Sequence, residues 1–189
     1  ITTDKTSKDT IATATTVGLK QGKVIITVKD GPGFYTTRVL TAMVFESIRL
    51  LQEGTDPKQL DKLTKKFGFP VGTATLLDEI GLDVILHIIT QLAEAFGERF
   101  TGGDSNIIKE LVHAGFVGKK SGGGIFVYKN REVNPKFIEI IQKYRLKPVG
   151  DFDDEDKMLR IVSRFVNEAV LCLEEKVLPS PLEGNIGAV

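Results

Sequence analysis

Cysteine is almost missing from this chain: Cys172 is the only one among 189 residues. A single thiol excludes an internal disulfide framework and suits a reducing compartment. Histidine is nearly as scarce, with only His87 and His113, so too few soft donors remain for a multi-ligand metal site, and no metal is expected. An excess of either charge is also absent, because Lys plus Arg and Asp plus Glu number 25 each. No global field therefore steers the protein towards nucleic acid, and no nucleic-acid partner is expected. No apolar run reaches membrane-spanning length, and no charged-then-apolar leader is present. The chain also lacks an initiator Met and begins Ile-Thr-Thr, so it is expected to be a piece of something longer. What remains is ordinary: 41% apolar and 26% charged residues, enough for one sizeable core or two small ones.

The most informative segment is Asp30-Gly-Pro-Gly-Phe-Tyr-Thr-Thr-Arg38, between an apolar run, Lys23 to Lys29, and a long amphipathic stretch. A Gly-rich turn from strand to helix exposes backbone N–H groups and suits an anion. A dinucleotide fingerprint, however, needs a third glycine where Thr36 stands, and a following strand where a second helical pattern stands. The turn reads better as a stiff hinge, with φ fixed by Pro32, and it implies a domain boundary.

Before the hinge, Ile1 to Thr3 reads as the tail of a strand. Thr6-Ser-Lys-Asp9 starts a helix that stops at Gly22, and the Val24-Ile25-Ile26 run predicts a strand buried on both faces. After the hinge the period becomes helical. Leu40, Val44, Ile48 and Leu51 mark one helix, closed by Gly54. Asp56-Pro57-Lys58-Gln59 supplies an N-cap, a first-turn proline and a capping-box glutamine for the next. Further helices are expected over 73–80, 83–96, 105–113 and 134–144, with a loop or small hairpin over 115–128. A polar linker over 147–153 precedes a long helix from Asp154 to Lys176.

That last helix repeats the first. Glu46 and Glu168 are 122 positions apart, and at the same offset Arg38 meets Arg160, Val44 meets Val166 and Ile48 meets Val170. Beyond the helix, Pro57 meets Pro179 and Leu60 meets Leu182. Shared amphipathic periodicity explains some of this; the matched Arg, Glu and Pro point to an internal duplication whose second copy is truncated. Apolar surface left at its cut end would favour self-association.

Taken together, these motifs resemble the 3-hydroxyacyl-CoA dehydrogenases. Val28 to Arg38 resembles the element joining that family's two domains. Glu46 to Gly54, Phe67-Gly-Phe-Pro-Val-Gly72 and Leu77 to Asp83 resemble its downstream helices, and Gly115 to Tyr128 its closing Gly-rich element. The Tyr35-Thr36-Thr37 variant and the partial repeat are most similar to the trifunctional branch of fatty-acid β-oxidation, the alpha-subunit type of mitochondria. The resemblance implies a mainly α fold. Residues 1–30 would be a strand–helix–strand remnant of an NAD-binding Rossmann domain and 31–130 the helical dehydrogenase domain. Residues 131–153 would be a linker with a short helix, and 154–189 a truncated second copy. It implies NAD-dependent oxidation of a 3-hydroxyacyl-CoA, with the catalytic His and Glu in a Rossmann domain upstream of Ile1 and no catalytic residue within the chain. Phe34, Thr37 and Arg38 would line the substrate pocket, Thr37 standing where the family has asparagine. Lys120 would contact NAD, which is not expected to bind this piece tightly. A homo-oligomer, a thiolase beta subunit as partner and a mitochondrial location are implied in the same way.

Other candidates carry bland readings. His87 is expected to pack in a core or interface, His113 to suit a helix C-terminus and Cys172 to act as a small hydrophobe. Gly118-Lys119-Lys120-Ser121 lacks the glycine spacing and following helix of a phosphate loop. The acidic run 151–156 reads as a helix start. Two other functions stay open: a helical subunit-assembly module, or the helical domain of another two-domain hydroxy-acid dehydrogenase.

Overall fold

Helices begin where the sequence supplies caps. Ser7 accepts a hydrogen bond from the Thr10 amide at 3.1 Å to start α1, Lys8–Lys20. Asp56 accepts from the Lys58 and Gln59 amides at the head of α3, Pro57–Phe67, and Asn134 from Lys136 at the head of α7, Pro135–Lys143. In α9, Pro181–Gly187, Ser180 caps in the same way, and a proline again takes the first turn. The remaining helices are α2, Thr36–Glu53; α4, Thr73–Ile80; α5, Leu82–Phe96; α6, Asn106–His113; and α8, Asp154–Glu174. One antiparallel ribbon, β1 (Phe126–Val127) with β2 (Glu132–Val133), completes this computed structural model, which describes residues 1–188. Val189, the last residue of the proposed second copy, lies outside the described residues.

Three local expectations are corrected. The run Lys23 to Val28 forms no ladder: only Lys29 pairs, in a parallel bridge with Thr2. Val24 is 79% exposed rather than buried on both faces, because no described strand lies beside it. Gln59 does not return to its own cap; its amide donates to Asp154 at 2.8 Å instead. Helix α9 begins at Pro181, so the repeat shifts by two residues after α8, and Leu182 is exposed where Leu60 is buried.

The chain forms two compact units. The first comprises residues 1–40 with those from Arg164 onward; the second is Thr41–Ser163. The division falls inside α2 and α8 rather than at Asp30, because the residues after the hinge pack with the first unit. Tyr35 and Val39 share a core with Val28, Cys172, Val177 and Leu178. The Tyr35 hydroxyl donates to the Gly184 carbonyl at 2.9 Å, tying the hinge to α9. The core of the second unit is laid down by apolar residues one helical turn apart, such as Leu60 and Leu63, Ile85 and Ile89, and Ile107 and Leu111.

Candidate functional site

At the hinge, Gly33 and Phe34 are both left-handed, with φ of 69° and 49°. A bulky residue in that region is strained, and such strain clusters at functional positions. Here it leaves the Phe34 ring 37% exposed while the next residue, Tyr35, is buried. Thr37 is half-buried on the first turn of α2. Arg38 faces elsewhere: its side chain is 1% exposed, with Glu168 at 2.7 Å and Glu175 at 2.9 Å. The guanidinium expected to line the substrate pocket is therefore held by carboxylates inside the first unit. A buried arginine needs such partners, since desolvation without them is costly.

The second unit contains the counterpart. Arg160 binds Glu46 and Glu53, each at 2.7 Å, and lies over the Phe152 ring at 5.0 Å. Glu53 also accepts from Arg49 at 2.9 Å. Every partner is offset by 122 positions: Arg38 from Arg160, Glu46 from Glu168, Glu53 from Glu175. Each arginine binds the carboxylates that correspond to its counterpart's own helix, the reciprocity of an isologous contact.

The Gly-rich element is built around Asp78, which the sequence did not single out. Its carboxylate accepts from the Ile125 and Phe126 amides at 2.8 and 2.9 Å. A Cβ at Gly118 would strike the Asp78 backbone, and one at Gly124 its carboxylate, so the loop lies against α4 only because both positions lack side chains. Burial pushes the Asp78 carboxyl above its usual range despite those two amide bonds, and burial with the Asp78 charge pushes the Tyr128 hydroxyl up. Its signal was faint: an acid one turn beyond Ala74 on the buried face of a short helix.

The loop so held presents Lys120, whose ammonium meets both Asp83 oxygens at 2.6 and 2.7 Å in the open. That hydrogen bond lowers the Asp83 carboxyl below its usual value. Lys120 thus belongs to the second unit, and Phe34, Thr37 and Arg38 to the first. His87 is exposed rather than packed, His113 is exposed near the end of α6, and Cys172 is buried.

Comparison with known proteins bears on this geometry. The profile of the 3-hydroxyacyl-CoA dehydrogenase C-terminal domain matches residues 33–128, half of the chain. The fatty acid oxidation complex subunit alpha of Shewanella halifaxensis is 40% identical over 190 residues, covering 98% of this chain and 26% of that protein. Its counterpart from Vibrio campbellii is 39% identical over 188 residues, with the same coverage. The chain thus spans about a quarter of the length of these curated relatives. The (S)-3-hydroxybutyryl-CoA dehydrogenase of Ralstonia eutropha is 35% identical, with a TM-score of 0.60 over 66% of this chain and 44% of that one. The 3-hydroxybutyryl-CoA dehydrogenase of Escherichia coli K12 has a TM-score of 0.77 over 96% of this chain and 55% of its own. At 19% identity it shows the fold alone. The relatives are bacterial, which overturns the mitochondrial location implied by the resemblance. By the residues that carry the hinge, the helices after it and the Gly-rich loop, this chain belongs to the 3-hydroxyacyl-CoA dehydrogenase family, through its C-terminal domain.

Proposed function

We propose that this chain forms one wall of the active cleft of an NAD-dependent L-3-hydroxyacyl-CoA dehydrogenase of fatty-acid β-oxidation. Residues 1–30 would be the end of the NAD-binding domain, and the parallel Thr2–Lys29 bridge flanking α1 supports this, being the pairing a strand–helix–strand unit makes. The observation that carries the reading is the loop clasped by Asp78, which holds Lys120 on a fixed support inside the segment matched by the family. Lys120 fits a polar cofactor: its partner Asp83 is an exposed carboxylate, and exchanging that ion pair for a ligand costs little. Hydride acceptance is what NAD supplies when bound. The exposed Phe34 ring offers an apolar face to the acyl chain, and Thr37 a hydroxyl near the cleft mouth. Arg38 supports that edge from behind, through Glu168 and Glu175. The proton of the substrate hydroxyl would pass to a histidine, held by a glutamate, in the upstream domain.

The test is direct. The 189-residue chain alone should not oxidise 3-hydroxybutyryl-CoA, while the protein carrying the upstream NAD-binding domain should. Failure of the joined protein to reduce NAD with that substrate overturns the reading.

A second reading, subunit assembly with another copy or a thiolase-type beta subunit, draws on α8. There Leu159, Val166 and Val170 stay exposed, whereas Val44 and Ile48, 122 positions before the last two, are buried. A Val166→Lys, Val170→Lys pair should then shrink the assembled particle in sedimentation without altering turnover. If sedimentation is unchanged, assembly does not use this face.

A further inference from the structure

A cavity in the second unit has no part in the dehydrogenase reading. It measures about 410 Å³, within the range of small-molecule sites, and lies between α3, α4 and the β1–β2 ribbon. Pro70, Val71, Phe126 and Tyr128 give it an apolar side. Lys58, Lys65, Lys119 and Arg131 line the rest, with Asp61 and Glu79 as the only carboxylates. The charges do not cancel. Glu79 is taken by Lys119 at 3.1 Å, and Lys58 is taken by Glu132 at 2.5 Å. Asp61 caps α4, accepting from the Ala74 and Thr75 amides at 2.7 and 3.1 Å and from the Thr75 hydroxyl. Lys65 and Arg131 have no carboxylate partner among the described residues, so two cations face one cavity unpaired, and with Asp61, Glu79 and Glu132 counted the balance there stays positive. Arg131 also sits at φ 56°, a left-handed turn position that glycine or asparagine would hold with less strain. A guanidinium kept there at a conformational cost calls for a reason other than the turn itself.

We propose that this cavity binds a phosphomonoester dianion attached to a body of nucleotide size. Two unpaired cations in a cavity of positive balance suit an anion of nearly two charges, as a phosphomonoester is at neutral pH. The fork of Arg131 suits two phosphate oxygens, and Lys65 adds a point charge. The apolar side takes the ligand's body. A phosphodiester, with one charge, fits less well. Two sources share this chemistry, a free nucleotide monophosphate and the 3′-phosphate of a CoA ester.

Calorimetric titration with adenosine 5′-monophosphate tests the proposal. Saturable binding is expected, weakened at least tenfold by Arg131→Gly and by Lys65→Gln, with cyclic AMP binding at least tenfold more weakly than the monoester. Arg131→Gly relieves the left-handed strain, so its melting temperature should not fall, and Lys65→Gln alters only an exposed side chain. Absence of monoester binding, or binding indifferent to both substitutions, overturns the proposal. Coenzyme A binding tenfold tighter than dephospho-CoA would identify the CoA phosphate as the source; equal binding of the two, with AMP retained, would identify a free monoester. None of these readouts requires turnover, so failure here and failure of the dehydrogenase reading are separable.

Discussion

Arg38 and Arg160 are the same device in two surroundings. Each binds two carboxylates seven residues apart, Arg160 both on α2 and Arg38 one on α8 and one just past its end, yet Arg38 is 1% exposed and Arg160 20%. The buried one has lost its water and depends on Glu168 and Glu175. The half-covered one keeps some solvent, shares Glu53 with Arg49 and rests on Phe152. Identical spacing therefore specifies who pairs with whom, while burial decides what the pairing is worth.

Two substitutions put that difference under strain. The largest effect is expected from Glu168→Ala, which leaves a buried guanidinium underpaired and should cost about 3 kcal/mol in urea unfolding. Its counterpart Glu46→Ala should cost about 1 kcal/mol, since Arg160 retains Glu53 and water. Equal losses would mean that burial is not what separates the two clamps.

The helix ends provide the second contrast. Gly54 stands at φ 110°, and 122 positions later Lys176 stands at φ 60°. A Cβ at 54 would also meet the Arg145 guanidinium, so Gly54→Ala should destabilise by about 1–2 kcal/mol. Lys176→Gly should stabilise by about 0.5–1 kcal/mol, visible as a rise in melting temperature.

The smallest effect concerns acid. Burial pushes the Glu53 carboxyl up, but the hydrogen bonds and charges of Arg160 and Arg49 outweigh it and hold the group below its ordinary 4.5. A carboxyl lowered on folding lends stability that is present above the ordinary value and lost as pH falls through the lowered one. Glu53→Gln should flatten the decline in the urea midpoint below pH ~4.5. An unchanged acid limb would remove Glu53 from the account of that clamp.

Much of the fold was legible because its boundaries depend on single residues. Asp56-Pro57, Gly81 and Asn134-Pro135 mark helix ends in the sequence and in the structure alike. The offset of 122 was legible too, although who would bind whom was not. Helical periodicity reports which face a residue occupies, whereas the Arg38–Glu168 pair joins positions 130 apart. Nothing in the local pattern shows that Arg38 turns inward to Glu168 and Glu175. Asp78 was harder still: its role exists only because Gly118 and Gly124 let a distant loop approach, and no local pattern encodes that approach. The apolar run before the hinge misled for the opposite reason. Three apolar residues in a row predict burial only if neighbouring strands are there to cover them, and Val24 has none among the described residues.

Helix α1 carries a consequence for how this molecule opens. It has a well-formed cap but buries none of its thirteen residues. The tie from its flanks is the short Thr2 bridge to Lys29, with Ile25 against Gly18. Helices of this length are marginal in water without tertiary support. Its amides are therefore governed by fraying rather than by the unfolding of the core, and the chain carries a spectrum of opening free energies in place of one. Loss of helical signal on mild warming would mark the release of a single segment while Tyr35, deep beside Cys172 and Leu178, still reports an intact interior.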